Sequence, residues 1–154
     1  MGMRRFVLVM VACLLGSGLA IAQTGGQAVA PAAKAEVLSK AEVYPYEAMP
    51  VRKMANGGES RDVLHGTLAT GEVMAVHESQ QPAGMKANPQ HVIQHTEIIC
   101  VIEGTLEFLH GDQADKVGPG GVIYVAMGTL HTVKNVGIGP ARYVVVAVGG
   151  DVKK

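Results

Sequence analysis

Two stretches decide how this chain reads: GMKANPQHVIQHTEIICVIEG at residues 84–104 and GGVIYVAMGTLHTVKN at residues 120–135. The first places His91, His95 and Glu97 within seven residues, followed by the apolar run Ile98–Ile102 and a Glu103-Gly104 turn. The second opens on glycines, passes through Val122-Ile-Tyr-Val125 and reaches His131 and Asn135. A single histidine in a strand is usually structural. Two imidazoles and a carboxylate so close together, with a further imidazole downstream, are the donor types that hold a divalent ion.

Outward from these stretches the chain keeps one texture. Apolar runs of four to six residues, rich in Val and Ile, alternate with turn signals at roughly ten-residue spacing. They include Val63–Leu68 before Thr70-Gly71, Val73–His77 before Pro82-Ala-Gly84, Leu106–Leu109 before Gly111-Asp112, Thr132-Val133, and Tyr143–Val148. No stretch after residue 35 sustains a helical period, so the pattern predicts an all-β sandwich or barrel over residues 51–150. Alternation sorts the strand after Glu97. If Glu97 points into a cavity, Ile99 and Val101 follow it, while Ile98, Cys100 and Ile102 face the other way and pack against the second sheet. His77 shares parity with Val73 and Ala75, and His65 and His110 read as ordinary strand or loop residues.

On these residues the sequence resembles the cupins, a family of small jelly-roll barrels. The first cupin pattern runs Gly, about five residues, His-x-His, three or four residues, Glu, six residues, Gly. His91, Glu97 and Gly104 stand in their places, after a lead-in from Gly84 that is one residue longer than usual. The second runs Gly-x5-Pro-x-Gly-x2-His-x3-Asn. Gly120, Gly128, His131 and Asn135 match, with Ala126 in the proline's place. The resemblance covers roughly residues 60–150. It implies a double-stranded β-helix barrel and a divalent metal ion (Mn, Fe, Ni or Zn), with Glu97 as a catalytic group. The reactions it implies are those of dioxygenases, isomerases, decarboxylases or lyases acting on small molecules. The departure is Ile93, which stands where the family's second histidine would be. His91, Glu97 and His131 still make a set of two imidazoles and one carboxylate with open positions. His91 and Glu97 would lie about 20 Å apart if the chain were fully extended, so it must turn between residues 93 and 96. His95 lies in that turn, at the rim or supporting a ligand. A rearranged turn would instead bring it in as a further metal ligand.

The chain begins with Met1-Gly-Met-Arg4-Arg5, an apolar run Phe6–Leu15 and Ala20-Ile-Ala22, the three regions of a secretory signal peptide. The run is well short of the roughly 20 residues that span a bilayer. Cleavage after Ala22 leaves 132 residues, with 11 Lys+Arg against 13 Asp+Glu, a formal charge of about −2. Residues 23–35 read as a flexible tail, and 35–50, broken by Pro45 and Pro50, as an arm along the outside of the domain. Much of the mean hydropathy of +0.23 therefore sits in the leader rather than in a membrane span. Near-neutral charge gives no footprint for nucleic acid. Cys100 would be the mature chain's one thiol, among isoleucines and valines that disfavour a thiolate.

The expectation is thus a secreted or periplasmic cupin that binds a metal through His91, Glu97 and His131 and a small organic ligand or substrate. Membrane and nucleic acid are not expected partners, and a homodimer is expected only by analogy. The alternative is a non-catalytic ligand-binding barrel with a degenerate, metal-free site.

Overall fold

The computed structural model describes residues 36–152. The expected leader, its cleavage site and the tail at residues 23–35 lie outside the described residues. Ten strands follow in order: β1 Val51–Lys53, β2 Glu59–Thr67, β3 Val73–Gln81, β4 His91–Val92, β5 Thr96–Glu103, β6 Leu106–His110, β7 Gln113–Val117, β8 Val122–Val125, β9 Leu130–Asn135 and β10 Ala141–Val148. They form two antiparallel sheets, a six-stranded one ordered β1-β2-β3-β10-β5-β8 and a four-stranded one ordered β4-β9-β6-β7. This is the all-β architecture expected from the spacing of the Val/Ile runs, in the jelly-roll form that the resemblance implies.

The run Ala141–Val148 explains the larger sheet. Its β-branched residues suit a strand packed on both sides, and it lies between β3 and β5. Ala141, Tyr143, Val145 and Ala147 are buried and alternate with half-buried neighbours. Ala141, Tyr143 and Val145 meet Ile99 and Val101 of β5 and Leu106 and Phe108 of β6 in one core, which Ile93 joins. Burying such a side chain is worth about 1.5–3 kcal/mol.

Parity along β5 is as the alternation predicts: Ile99 and Val101 are buried. The expected packing of the opposite face is corrected, however. Ile98 and Ile102 are 39% and 45% exposed and do not lie against the second sheet. A jelly roll encloses one interior, so a strand's inward residues must serve both cavity and core, and its other face is left outside. With Val122 and Tyr124 of β8 these residues make an exposed apolar strip. The strand β7 is absent from the sequence expectation because QADKV has no apolar run; it is a solvent-facing edge strand.

Asn135 ends the second motif and joins the sheets. Its backbone N–H donates to Gln81 Oε1 at 2.8 Å, and its Nδ2 donates to the carbonyls of Gln81 and Gly139 at 2.9 and 2.8 Å. Its Oδ1 accepts from Gly137 N–H at 2.9 Å. Gly104, the last residue of the first motif, turns β5 into β6 at φ +76°, and a Cβ there would stand 2.5 Å from the Pro140 carbonyl oxygen. Residues 36–50 run along the outside of β2. Thr67 N–H donates to the Glu36 carbonyl and Leu38 N–H to the Thr67 carbonyl, and the Tyr46 ring is flanked by the guanidinium groups of Arg61 and Arg142.

Asn135→Ala should cost about 2–4 kcal/mol, because it leaves the carbonyl of buried Gln81 and the half-buried Gly137 N–H and Gly139 carbonyl without their partner. Urea unfolding measures it, and a loss below about 0.5 kcal/mol would show that the clamp is dispensable.

Candidate functional site

The inward faces of β3, β5, β9 and β10 enclose a cavity of about 200 Å³. Glu97 lies on its wall with Ile99 beside it, and His131 and His91 face them from the smaller sheet. The register sets this up: His91 and His131 are direct partners across β4 and β9, and His110 is the partner of His131 on β6. The His91 and His131 rings lie 4.8 Å apart, tilted by 41°. Phe108 supports the His131 ring at 5.9 Å and stacks on His110 at 4.8 Å. A larger groove, about 590 Å³, lies between residues 36–44 and β2, and none of the motif residues lines it.

Hydrogen bonds fix how each group presents itself. His131 Nδ1–H donates to the Thr129 carbonyl at 3.0 Å, and a carbonyl can only accept, so Nδ1 carries the proton. His131 Nε2 then points at Glu97 Oε2 from 3.6 Å, a charge contact longer than a hydrogen bond. The other carboxylate oxygen, Oε1, accepts from His95 Nε2–H at 3.0 Å, and His95 Nδ1–H donates to Asp151 Oδ1 at 2.5 Å. Both ring nitrogens of His95 are thereby engaged. Among the described residues no three His, Cys, Asp or Glu side chains are grouped as a ready ligand set for one ion.

The sequence places Glu97, His91, His95 and His131 together, and the structure brings all four to one locality. His91 is exposed and His131 is buried. Ile93, at the family's second histidine position, is 7% exposed and packs in the core. His110 pairs with Asp115 on the neighbouring strand at 2.8 Å and does not line the cavity. Asp151 carries no signal in sequence: it follows β10 and meets His95 only through the fold. His77, whose parity allowed an inward direction, does line the cavity. The wall holds polar side chains beside Ile99. Ser79 and Gln81 from β3 and Tyr143 from β10 face the cavity, and Gln81 Nε2 donates to the Tyr143 hydroxyl at 2.9 Å.

Charge balance follows from these contacts. Burial pushes Glu97 up, but His131 and His95 outweigh it and hold the carboxyl below its ordinary value. The Glu97 carboxylate raises His131 against the effect of burial. Burial pushes His95 down, while Asp151 and Glu97 bring it above the ordinary value. His77, by contrast, is lowered by burial, only partly offset by Glu97, and stays neutral more readily.

The profile of the family described as Cupin domain matches residues 76–147. The barrel is a cupin domain. Solved structures agree on the fold. An RmlC-like cupin from Shewanella frigidimarina shares 13% identity over 72% of this chain and 94% of its own, with a TM-score of 0.58. The polyketide cyclase RemF from Streptomyces resistomycificus shares 17% over 75% of this chain and 88% of its own, with a TM-score of 0.56. A predicted oxalate decarboxylase from Thermotoga maritima shares 16% over 70% and 98%, with a TM-score of 0.55. At these identities the likeness is one of fold. No curated protein matches the chain in sequence.

The pH dependence of this cluster has a definite sign. Glu97 lies below its ordinary 4.5, so its stabilisation is present above that pH and is lost as pH falls through the folded value. His95 and His131 lie above their ordinary 6.5, so theirs is present below it and is lost as pH rises through the folded values. His77 acts oppositely on the histidine side, its contribution being lost as pH falls below 6.5, and loss of the Glu97 charge lowers it further, which adds to the difference on the acid side of 6.5. In chelator-treated protein, the Tm difference between the native chain and Glu97→Gln should be widest between about pH 4.5 and 6.5 and narrow above it. A difference that instead grows up to pH 9 would contradict the pairing of Glu97 with imidazolium groups.

Proposed function

We propose that the chain is an exported cupin that binds a small organic molecule in the Glu97 cavity, with a divalent ion held by His91, Glu97 and His131. The observation that carries this reading is the approach of His131 Nε2 to Glu97 Oε2. With Nδ1 committed to Thr129, the Nε2 lone pair faces a carboxylate oxygen at 3.6 Å. Two electron-rich atoms so placed call for a positive charge between them, either a proton or a metal ion. Donors about 2.0–2.2 Å from one ion stand at roughly this separation. His91 lies against His131, and its exposure leaves its rotamer open to supply the third donor. His95 stands outside the set, because both its nitrogens are engaged. Bound, the ion would supply Lewis-acid or redox chemistry at its open positions.

The protein's own part is to bind and orient. Tyr143, Gln81 and Ser79 offer hydroxyl and amide groups, and Ile99 and Val145 an apolar wall, the mixture that fixes a small polar ligand. A cavity of about 200 Å³ suits a molecule smaller than most ligands of drug size. Glu97, kept ionised by its neighbours, is placed to accept a proton from such a ligand. Metal-dependent enzymes and binders of small molecules both fit this site. A second copy of the chain is the proposed partner over the strip formed by Ile98, Ile102, Val122 and Tyr124.

One preparation tests these readings. The full chain, expressed with its own leader in a bacterial host, should be recovered outside the cytoplasm with an intact mass that begins at Gln23. A mass that retains the leader would overturn export by cleavage. Sedimentation equilibrium should give twice the protomer mass, and the single mass would remove the dimer. After metal add-back and dialysis, elemental mass spectrometry should find close to one equivalent of a divalent ion. His131→Ala should abolish it, and His110→Ala should not. Less than about a tenth of an equivalent in the unaltered protein would sink the metal reading in favour of a metal-free binding barrel.

A further inference from the structure

The residues after β10 make contacts that neither cupin motif includes. Gly149 N–H donates to the Val73 carbonyl at 2.8 Å, and Asp151 N–H donates to the Gln94 carbonyl at 3.1 Å. Gly150 adopts φ +55°, and a Cβ on it would stand 1.6 Å from the Gln94 carbonyl oxygen, so only glycine allows this approach. Val152 is buried against Val73 and Ala147 and anchors the far side of the turn. The backbone on both sides of Asp151 is thus tied down, and its carboxylate arrives at His95 Nδ1 at 2.5 Å. His95 Nε2 in turn holds Glu97 Oε1 at 3.0 Å.

We propose that Gly149–Val152 is the positioning element of the cavity's carboxylate: Asp151 orients the His95 ring, and the ring fixes Glu97 from behind. The inference shares Glu97 with the proposed function but rests on the carboxylate's place in the cavity, whether or not an ion binds. An exposed ion pair by itself contributes little to stability. This one acts differently, because the backbone contacts have already ordered the aspartate. Its work is to choose a ring orientation in which one nitrogen faces the cavity carboxylate. Glu97 is then held on both sides, by His95 at Oε1 and by His131 near Oε2. Asp151 touches neither cavity nor ligand and is a positioning residue, not a catalytic one.

The test compares the native chain with Asp151→Asn, Asp151→Glu and Gly150→Ala by two readouts. The first needs no metal: the carbon-13 resonance of the Glu97 carboxyl group, with that of Glu107 on the other sheet as internal reference. Asp151→Asn and Gly150→Ala should shift the Glu97 signal while leaving Glu107 in place, and Asp151→Glu should return it toward the native position. The Tm of Asp151→Asn should change by no more than a few degrees, which separates positioning from loss of fold. A Glu97 resonance unmoved in Asp151→Asn overturns the proposal, whatever the metal result. The second readout is Mn²⁺ affinity by calorimetry, expected to fall about ten- to a hundredfold in Asp151→Asn. Equal affinity in native and variant protein also overturns it. If the native chain binds no Mn²⁺, the metal reading fails by itself and the Glu97 resonance decides this proposal.

Discussion

Glu97 is a carboxylate set into a wall shared with Ile99 and Val145, and a charge in such a place must be compensated or given up. Much of the interior around it is arranged as compensation. His131 reaches it from the smaller sheet, turned by the Thr129 carbonyl so that the right nitrogen faces inward. His95 reaches it from the bend that precedes β5, turned by Asp151. His95, with a carboxylate at each nitrogen, carries both protons, whereas the Thr129 carbonyl on the far nitrogen of His131 dictates what its near nitrogen presents. This is how a protein selects between two tautomers of similar energy. One carboxylate thus couples β5 to β9 and to the segment after β10.

Around this centre the fold divides labour by sheet. The six-stranded sheet supplies the carboxylate, His77, Ser79, Gln81 and Tyr143. The four-stranded sheet supplies His91 and His131, in register across β4 and β9. The cavity's chemistry therefore depends on how the sheets are joined, and Asn135 with Gln81 makes that join at one end. Gln81 serves twice, accepting from Asn135 through Oε1 and donating to Tyr143 through Nε2. A substitution there would disturb a structural clamp and a cavity wall together.

The alternating Val/Ile runs and glycine turns made the barrel legible, because strand period and turn chemistry are local properties of the sequence. The grouping of His91, His95, Glu97 and His131 was legible from two spaced motifs. Three features were not. Asp151 gave no signal, because its role depends on Gly150 passing against Gln94, a contact between residues more than fifty positions apart. The polar wall of Ser79, Gln81 and Tyr143 was hidden because parity gives a relative direction but not which face is inward. The exposure of Ile98 and Ile102 was missed because the sequence marks them as apolar and says nothing of whether a second layer covers them.

Ile93 has the widest consequence for the chemistry. In the family pattern that position carries an imidazole; here it carries a side chain buried in the core, so the interior gains packing where it loses a donor. The remaining lone pair of His131 then serves both claimants to the space beside Glu97. A proton makes it an imidazolium, which the nearby carboxylate favours. A metal ion needs the same nitrogen deprotonated. With a fourth ligand, the ion would win this competition over a wide range of pH. With only the two imidazoles and one carboxylate of the proposed set, the margin would narrow, and protonation of His131 would oppose metal binding at a higher pH. The same pairing that stabilises the cluster, Glu97 with protonated His131 and His95, is therefore the state that an ion bound as proposed would have to displace. Were an ion to bind as proposed, its occupancy would be coupled to acidity through the single nitrogen that Thr129 leaves free.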